Sequence, residues 1–302
     1  MKKRTKAKNR IVSSVLVLAV FLQVFFLSAC VDQHQKKANN DKGSDARLIA
    51  TSFATAQLCD KMDMDLVGVC DTYQNLPERY EDLPKVGMAM GPDLEKIKEL
   101  KADYVMGPNT LEEGLSPKYE SINQKAIFLN MKSVDGLYES ATILGDRFGK
   151  KETASQLNKE YKEYKRNLTD KYKGKKKPKV LILMGFPNSY VVATDTSYVG
   201  SLAKQLGAEN VYKDQKLDFV VANTEDMNSK DADIILRCAH VFPDDVAKMF
   251  QEEFKTNDIW KHFKAVKENK VYDLDPDLFG MSAKFNYPEA YKQLGEMLYG
   301  KK

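Results

Sequence analysis

The stretch E-T-A-S-Q-L-N-K-E-Y-K-E-Y-K-R-N-L-T-D-K-Y, Glu152 to Tyr172, decides how the rest of the chain is read. It holds no glycine or proline, and its apolar positions, Ala154, Leu157, Tyr161, Tyr164, Leu168 and Tyr172, recur at steps of three and four. That period lines them along one face of an α-helix, with charged residues on the other. Its twenty-one residues make a rod of roughly 30 Å, about the width of a small domain. Gly149 closes the preceding helical pattern, and K-G-K-K-K-P, Lys173 to Pro178, ends this one. A half-chain of α/β texture lies on each side. The stretch therefore reads as a rigid strut (residues 149–174) between an N-terminal lobe (47–148) and a C-terminal lobe (175–302).

Both lobes alternate strand and helix signals, which implies a mostly parallel sheet covered on both faces. In the first, Leu48–Ser52, Leu66–Cys70, Ala102–Met106 and Ala126–Leu129 read as strands. Helices are expected over 54–62, from Asp93 to Lys101 and near Lys118. In the second, K-V-L-I-L-M (179–184) is the continuous apolar run of a buried parallel strand. It turns at Gly185–Ser189 into Tyr190–Thr194. A helix over 198–206 stops at Gly207, and Thr224 is expected to cap the helix before the strand Asp233–Leu236. Pro243 opens a helix to about Phe254, Asp258 is expected to cap one through Trp260 and Phe263, Val271-Tyr272 is the last strand, and Pro288 starts the closing helix.

The halves share a written-out unit. Leu94 to Met106, L-E-K-I-K-E-L-K-A-D-Y-V-M, matches Thr224 to Leu236, T-E-D-M-N-S-K-D-A-D-I-I-L, without a gap. Each is a helix with Glu in its first turn, then Ala-Asp, then a buried strand, at an equivalent place in its lobe. This signals duplicated architecture.

The net charge of +4 misleads, because residues 1–29 carry six basic side chains and no acid, leaving −2 on the remainder. A mildly acidic body has no electrostatic footprint for nucleic acid. Lys2 to Arg10 is a basic n-region, Ile11 to Leu27 an apolar h-region, and L-S-A-C (27–30) ends it in the manner of a bacterial lipobox. The expectation is a signal peptide over 1–29, a lipid on Cys30 and a polar tether over 30–46; an uncleaved signal anchor is the alternative. The body would then sit at the extracytoplasmic face of a cell membrane. Of the other cysteines, Cys59, Cys70 and Cys238, none lies in a C-x-x-C, so neither a thioredoxin pair nor a zinc knuckle is present. Cys59 and Cys70 read as buried thiols, with a bridge between them as the alternative.

Ligands of open α/β sheets bind beyond the carboxyl ends of the strands, and two lobes on one strut can turn those ends toward each other. The first lobe offers Ser52 to Ala54, Thr72-Tyr73, Met88 or Met90, and Gly107 to Asn109. The second offers Gly185 to Tyr190, Asn223 and Arg237 to His240. Of three histidines, His34 lies in the tether and His262 in W-K-H-F-K, whereas His240 follows a strand and precedes a helix. Met90 sits in G-M-A-M-G-P, where no period demands an apolar side chain. A thioether is a soft, neutral ligand suited to porphyrin iron or Cu(I). Histidine opposite methionine is an axial pair for haem iron. The blander readings are a structural histidine and a gap-filling methionine. The chain contains no G-x-S-x-G, H-E-x-x-H, P-loop or G-x-G-x-x-G, so no enzyme signature competes.

The lipobox, V-G-M-A-M-G-P-D-L-E (86–95), K-V-L-I-L-M-G-F-P-N-S-Y-V-V-A-T-D (179–195), D-I-I-L-R-C-A-H (233–240) and N-D-I-W-K-H-F-K-A-V-K (257–267) together closely resemble the haem-receptor lipoproteins of the Gram-positive iron-regulated surface determinant systems. More broadly the chain is similar to class III substrate-binding proteins of ABC importers, two α/β lobes joined by one backbone helix. The resemblance implies one non-covalent haem b in the interlobe cleft, its iron held by Met90 and His240, with Phe53, Ala54, Thr72 and Tyr73 at further pocket positions. It implies that Glu95 and Glu225, the two acids of the repeat, dock on an importer permease. It also implies cell-wall haem-transfer proteins as donors and a monomeric receptor without enzymatic activity. Arg237 or Tyr190 is expected to meet a propionate. The chain departs from the family pattern at Cys238, two residues before His240, where extended backbone would bring both to one side; a buried thiol is the expectation there, with a thiolate that competes for the iron, or a metal held by both, as the alternative. Rival readings are a ferric-siderophore receptor on the same fold, a lipid-anchored zinc or copper protein using Cys238 and His240, and an adhesive surface protein.

Overall fold

A computed structural model describes residues 43–240 and 242–300. The expected signal segment, Cys30 and the part of the expected tether up to Lys42 lie outside the described residues, and among those described no helix is long and apolar enough to cross a membrane. After a 3-10 turn over Gly43–Asp45, strand β1 (Leu48–Ala50) runs into Ser52, whose side chain accepts from the Thr55 amide at 3.2 Å to cap the helix Phe53–Lys61. Such a cap stabilises a helix by about 1 kcal/mol. After β2 (Gly68–Val69) the chain makes a small hairpin, β3 (Gly87–Met88) against β4 (Gly91–Pro92), with Ala89 and Met90 at its turn. Strands β5 (Tyr104–Pro108) and β6 (Ala126–Leu129) complete a four-stranded sheet ordered β2-β1-β5-β6, all parallel.

The second sheet is built on β7 (Lys179–Phe186), which turns at Asn188 (φ 66°) into antiparallel β8 (Ser189–Ala193). Next come β9 (Glu209–Asn210), β10 (Phe219–Val221), β11 (Ile234–Ala239) and β12 (Val271–Asp273). Their order is β10-β8-β7-β11-β12, with β9 pairing the start of β7. Two caps differ from expectation. Asn223, not Thr224, accepts from the Asp226 amide, because its backbone is the extended one (φ −133°). Asn257, not Asp258, caps a 3-10 turn Asp258–His262, and the α-helix Lys264–Lys267 follows separately.

Alternation along the strands divides the core. Leu48, Ala50, Tyr104, Met106, Val180, Ile182, Met184, Ile234 and Leu236 belong to one cluster shared by both sheets. Ile49 and Val105 face an outer core of the first sheet, and Leu181, Leu183 and Ile235 an outer core of the second. The period of two puts each strand between two apolar layers. The helix Lys151–Tyr172 contributes Ala154, Tyr161 and Leu168 to the shared core, so that core is continuous from sheet to sheet. The closing helix Tyr287–Tyr299 lies along it through a ladder of rings: Tyr161–Tyr287 at 5.8 Å, Tyr164–Tyr291 at 6.2 Å and Tyr172–Tyr299 at 5.1 Å. A Cβ on Gly295 would fall 2.0 Å from the Tyr172 hydroxyl, so only glycine admits this approach.

The repeated units fold alike in detail. Asp93 and Asn223 cap six-residue helices, Leu94–Glu99 and Thr224–Ser229. Ile97 and Met227 are the fully buried side chains of those helices. Lys101 and Asp231 both adopt positive φ, 49° and 51°. The Asp103 carboxylate accepts from the Arg47 amide and the Asp233 carboxylate from the Lys179 amide, each at 2.9 Å. In return the Asp103 and Asp233 amides donate to the Arg47 and Lys179 carbonyls. Each aspartate thus pins the entry of its sheet's first strand to the entry of the strand beside it.

Candidate functional site

The first-lobe candidates gather beyond the carboxyl edge of their sheet. Phe53, half-buried, and Ala54, buried, open the helix that follows β1. Thr72 and Tyr73 follow β2; the Thr72 hydroxyl accepts from the Gln74 amide and fixes that turn, while the Tyr73 ring is 77% exposed. The hairpin carrying Met90 is tied to the same edge, because the Asp71 amide donates to the Gly87 carbonyl at 2.9 Å. Gly87 has φ 87°, and a Cβ there would sit 2.9 Å from the Asp93 nitrogen and the Gly91 oxygen, so the hairpin closes only on glycine. The result is a rigid turn holding Met90 69% exposed and Met88 59% exposed. Neither methionine fills a core gap.

In the second lobe His240 follows β11, its amide donating to the Gly185 carbonyl at 3.1 Å and its ring meeting Phe186 edge-on at 5.5 Å. Burial holds its pKa below the ordinary value, so the imidazole is neutral near pH 7 and keeps a lone pair for a metal. Close after it stands Phe242, 66% exposed at φ 48°. An aromatic residue in that left-handed region carries on the order of 1 kcal/mol of strain. Sequence reading passed over Phe242; the F-P dipeptide looks like an ordinary helix start.

Two expectations change here, and a third, the buried thiol at Cys238, holds. Arg237 is not free for a ligand: its guanidinium grips the Asp273 carboxylate at 2.6 and 2.7 Å, and lies over the Phe254 ring at 4.8 Å. The Tyr190 hydroxyl donates to Glu253, which also accepts from the Trp260 indole, so this ring is committed inward. Cys238 lies fully buried in the shared core with Met184 and Leu236, and burial pushes its thiol pKa far up. It is a core thiol. Among the described residues no group of three or more His, Cys, Asp or Glu side chains stands ready for a metal. Cys59 and Cys70 are free and buried, both thiol pKa values pushed up to about 12 by burial.

No hydrogen bond or ring contact joins the Met90 hairpin to His240 among the described residues; each belongs to its own sheet. Glu95 and Glu225 are exposed in the first turns of the two repeat helices. His262 is exposed on the 3-10 turn, away from these candidates. A groove of about 890 Å³ between the Pro187–Tyr190 turn and the helix Pro243–Thr256 includes Tyr190 and Ala222 but not His240.

Comparison with known proteins agrees with this architecture. The family model for periplasmic binding protein matches residues 49–278. The chain is 41% identical over 291 residues to the high-affinity heme uptake system protein IsdE of Staphylococcus aureus (strain bovine RF122 / ET3-1), covering 96% of this chain and 98% of the relative. Two crystal structures superpose with a TM-score of 0.81. One is an ABC transporter substrate-binding protein from Listeria monocytogenes EGD-e, 47% identical, covering 85% of this chain and 99% of that one. The other is S. aureus IsdE complexed with heme, 44% identical, covering 84% and 99%.

Proposed function

The chain belongs to the periplasmic binding protein family, in the branch that includes staphylococcal IsdE, and on that premise we propose that it is a haem receptor of an ABC importer. The ligand sits in the cleft between the lobes, its iron held by the Met90 thioether and the His240 imidazole. One observation carries this reading above the others. A lobe whose methionines elsewhere pack inward holds Met88 and Met90 out in water on a hairpin locked by Gly87, and the other lobe presents a neutral histidine beside an exposed phenylalanine. Such surface is costly unless something flat and apolar covers it.

A thioether and a neutral imidazole bring no charge to iron, so the porphyrin's own dianion is left to balance the metal. Phe53, Ala54, Thr72 and Tyr73 wall the pocket on the first lobe. Tyr73 and Phe242 supply ring faces, and together these groups keep water from the iron. The receptor binds and releases haem without reacting on it.

Around that site we place the rest of the pathway. Cys30 carries a lipid that holds the body at the extracytoplasmic membrane face, cell-wall proteins supply haem, and the monomer docks on its permease through Glu95 and Glu225. Titration of the purified full chain with haemin tests the ligand. The wild type is expected to give a Soret band that shifts in Met90→Ala and is strongly reduced in the Met90→Ala, His240→Ala double variant. No band at all, or a wild-type spectrum from the double variant, would overturn the reading.

A further inference from the structure

Lys284 is buried, 6% exposed, and it is the one Asp, Glu, Lys or Arg side chain buried among the described residues. Its place explains what it is near. The segment Ala283 to Phe285 crosses to the first lobe, where the Ala283 amide donates to the Met131 carbonyl at 2.7 Å and the Phe285 amide to Gln57 Oε1 at 3.4 Å. Lys284 is thereby held against the first turn of the helix Phe53–Lys61, its Nζ 5.9 Å from the centre of the Phe53 ring.

An ammonium has three donors and no acceptor. Here one is taken, by the Asp277 carbonyl. Asp277 and Asp275 are the carboxylates whose charge acts on it; both are exposed, and among the described residues neither forms an ion pair with it. Burial lowers the Lys284 pKa, against the upward pull of those two acids. A cation desolvated this far and left with one neutral partner is poorly compensated inside the protein alone.

We propose that Lys284 binds a carboxylate of the ligand in the cleft, the group that orients the ligand's acidic edge against Phe53. The inference rests on the haem reading, for which the carboxylate is a porphyrin propionate; it takes over the role that Arg237 and Tyr190, both engaged elsewhere, do not fill. Charge-assisted bonds of this kind are short and direction-dependent, so the contact sets which edge of the disc enters first.

The test compares iron protoporphyrin IX with its dimethyl ester, which keeps the iron and the apolar disc but has no carboxylate. Each is titrated by absorbance into the full chain in detergent, as wild type, Lys284→Met and Lys284→Arg. The wild type is expected to prefer the diacid by roughly tenfold or more. Lys284→Met is expected to lose that preference through weaker diacid binding with ester binding unchanged, and Lys284→Arg to keep most of it. A purely structural lysine would weaken both ligands together. Equal wild-type affinity for the two porphyrins, or an undiminished preference in Lys284→Met, overturns the inference while leaving the haem reading in place. Binding of neither porphyrin by the wild type overturns both. Equal wild-type affinities overturn the inference whether or not a variant folds, and Lys284→Arg, which keeps the charge, gives the supporting readout if Lys284→Met does not fold.

Discussion

The phenolic oxygens of Tyr138 and Tyr287 lie 3.0 Å apart, one ring on the helix that follows the first sheet and the other at the head of the closing helix. Both rings also contact Tyr161 of the long helix: Tyr138 stacks on it at 4.3 Å and 4°, and Tyr287 meets it edge-on. Three elements from both halves of the chain therefore meet at one buried hydrogen bond. Either Tyr138→Phe or Tyr287→Phe leaves the other hydroxyl unpaired and is expected to lower stability by about 1 kcal/mol. The double variant should lose clearly less than the sum, because the second change removes a group already orphaned. Urea unfolding of the four chains measures this; strict additivity would show that the bond contributes nothing.

The aspartates of the repeat give a prediction with a pH signature. Burial raises the Asp233 pKa, but its bonds from Lys264 and from the Lys179 amide more than offset that, and the net shift is downward. A carboxylate with a folded pKa below its unfolded one stabilises the fold above the unfolded value, about 3.9, and loses that contribution as pH falls through the folded value. Asp233→Asn is expected to be about 2 kcal/mol less stable than wild type at neutral pH, with the gap closing toward pH 2. A gap that stays constant from neutral to acid would contradict this.

Gly87→Ala asks whether the hairpin positions Met90. At φ 87° a methyl would strike the Asp93 nitrogen and the Gly91 oxygen, both backbone atoms that cannot swing aside. The hairpin must open, and Met90 moves with it. The expected outcome is a haem complex with an altered Soret band and at least tenfold weaker binding, while Tm drops only a few degrees. Unchanged binding would mean that the thioether needs no fixed seat.

What the sequence disclosed and what it hid follow from the range of the interactions. The long helix was legible because its period of three and four runs unbroken from Ala154 to Tyr172. The strand beginning at Lys179 was legible because residues 180–184 are apolar at every step and β-branched or aliphatic, as in a strand covered on both faces. The G-M-A-M-G-P turn announced an exposed methionine through its glycines. Arg237 was misjudged because its partner, Asp273, is 36 residues away and is set opposite it by strand register, which spacing does not give. Lys284 was passed over because lysine is almost always exposed, and only the crossing of residues 283–285 onto Gln57 and Met131 buries it. The caps slipped by one residue where two good capping types stood side by side, Asn223-Thr224 and Asn257-Asp258.

Cys238 separates packing from ligation. Its sulfur is sealed in the shared core and its thiol is held protonated at any physiological pH. Cys238→Val keeps an apolar group of similar volume and is expected to change stability by less than about 1.5 kcal/mol. Its haem spectrum should be that of the wild type. Loss of a charge-transfer or Soret feature in this variant would mean that the thiolate reaches the iron.

His240 supplies the most direct pH test. Burial alone lowers its pKa from the ordinary 6.5. A histidine whose folded pKa is depressed stabilises the fold above the unfolded value and loses that contribution as pH falls through the folded one, because the unfolded state then takes the proton more readily. The proton also occupies the lone pair that iron would use. Haem affinity should therefore stay level from about pH 8 to pH 6.5 and decline toward pH 5 with a slope approaching one proton. Thermal stability of the unliganded chain should decline over the same acid range, and His240→Ala should flatten both curves. Absorbance titrations and melts across that range provide the measurement. Equal affinity at the two ends, or a full slope surviving in His240→Ala, would remove this histidine from the iron.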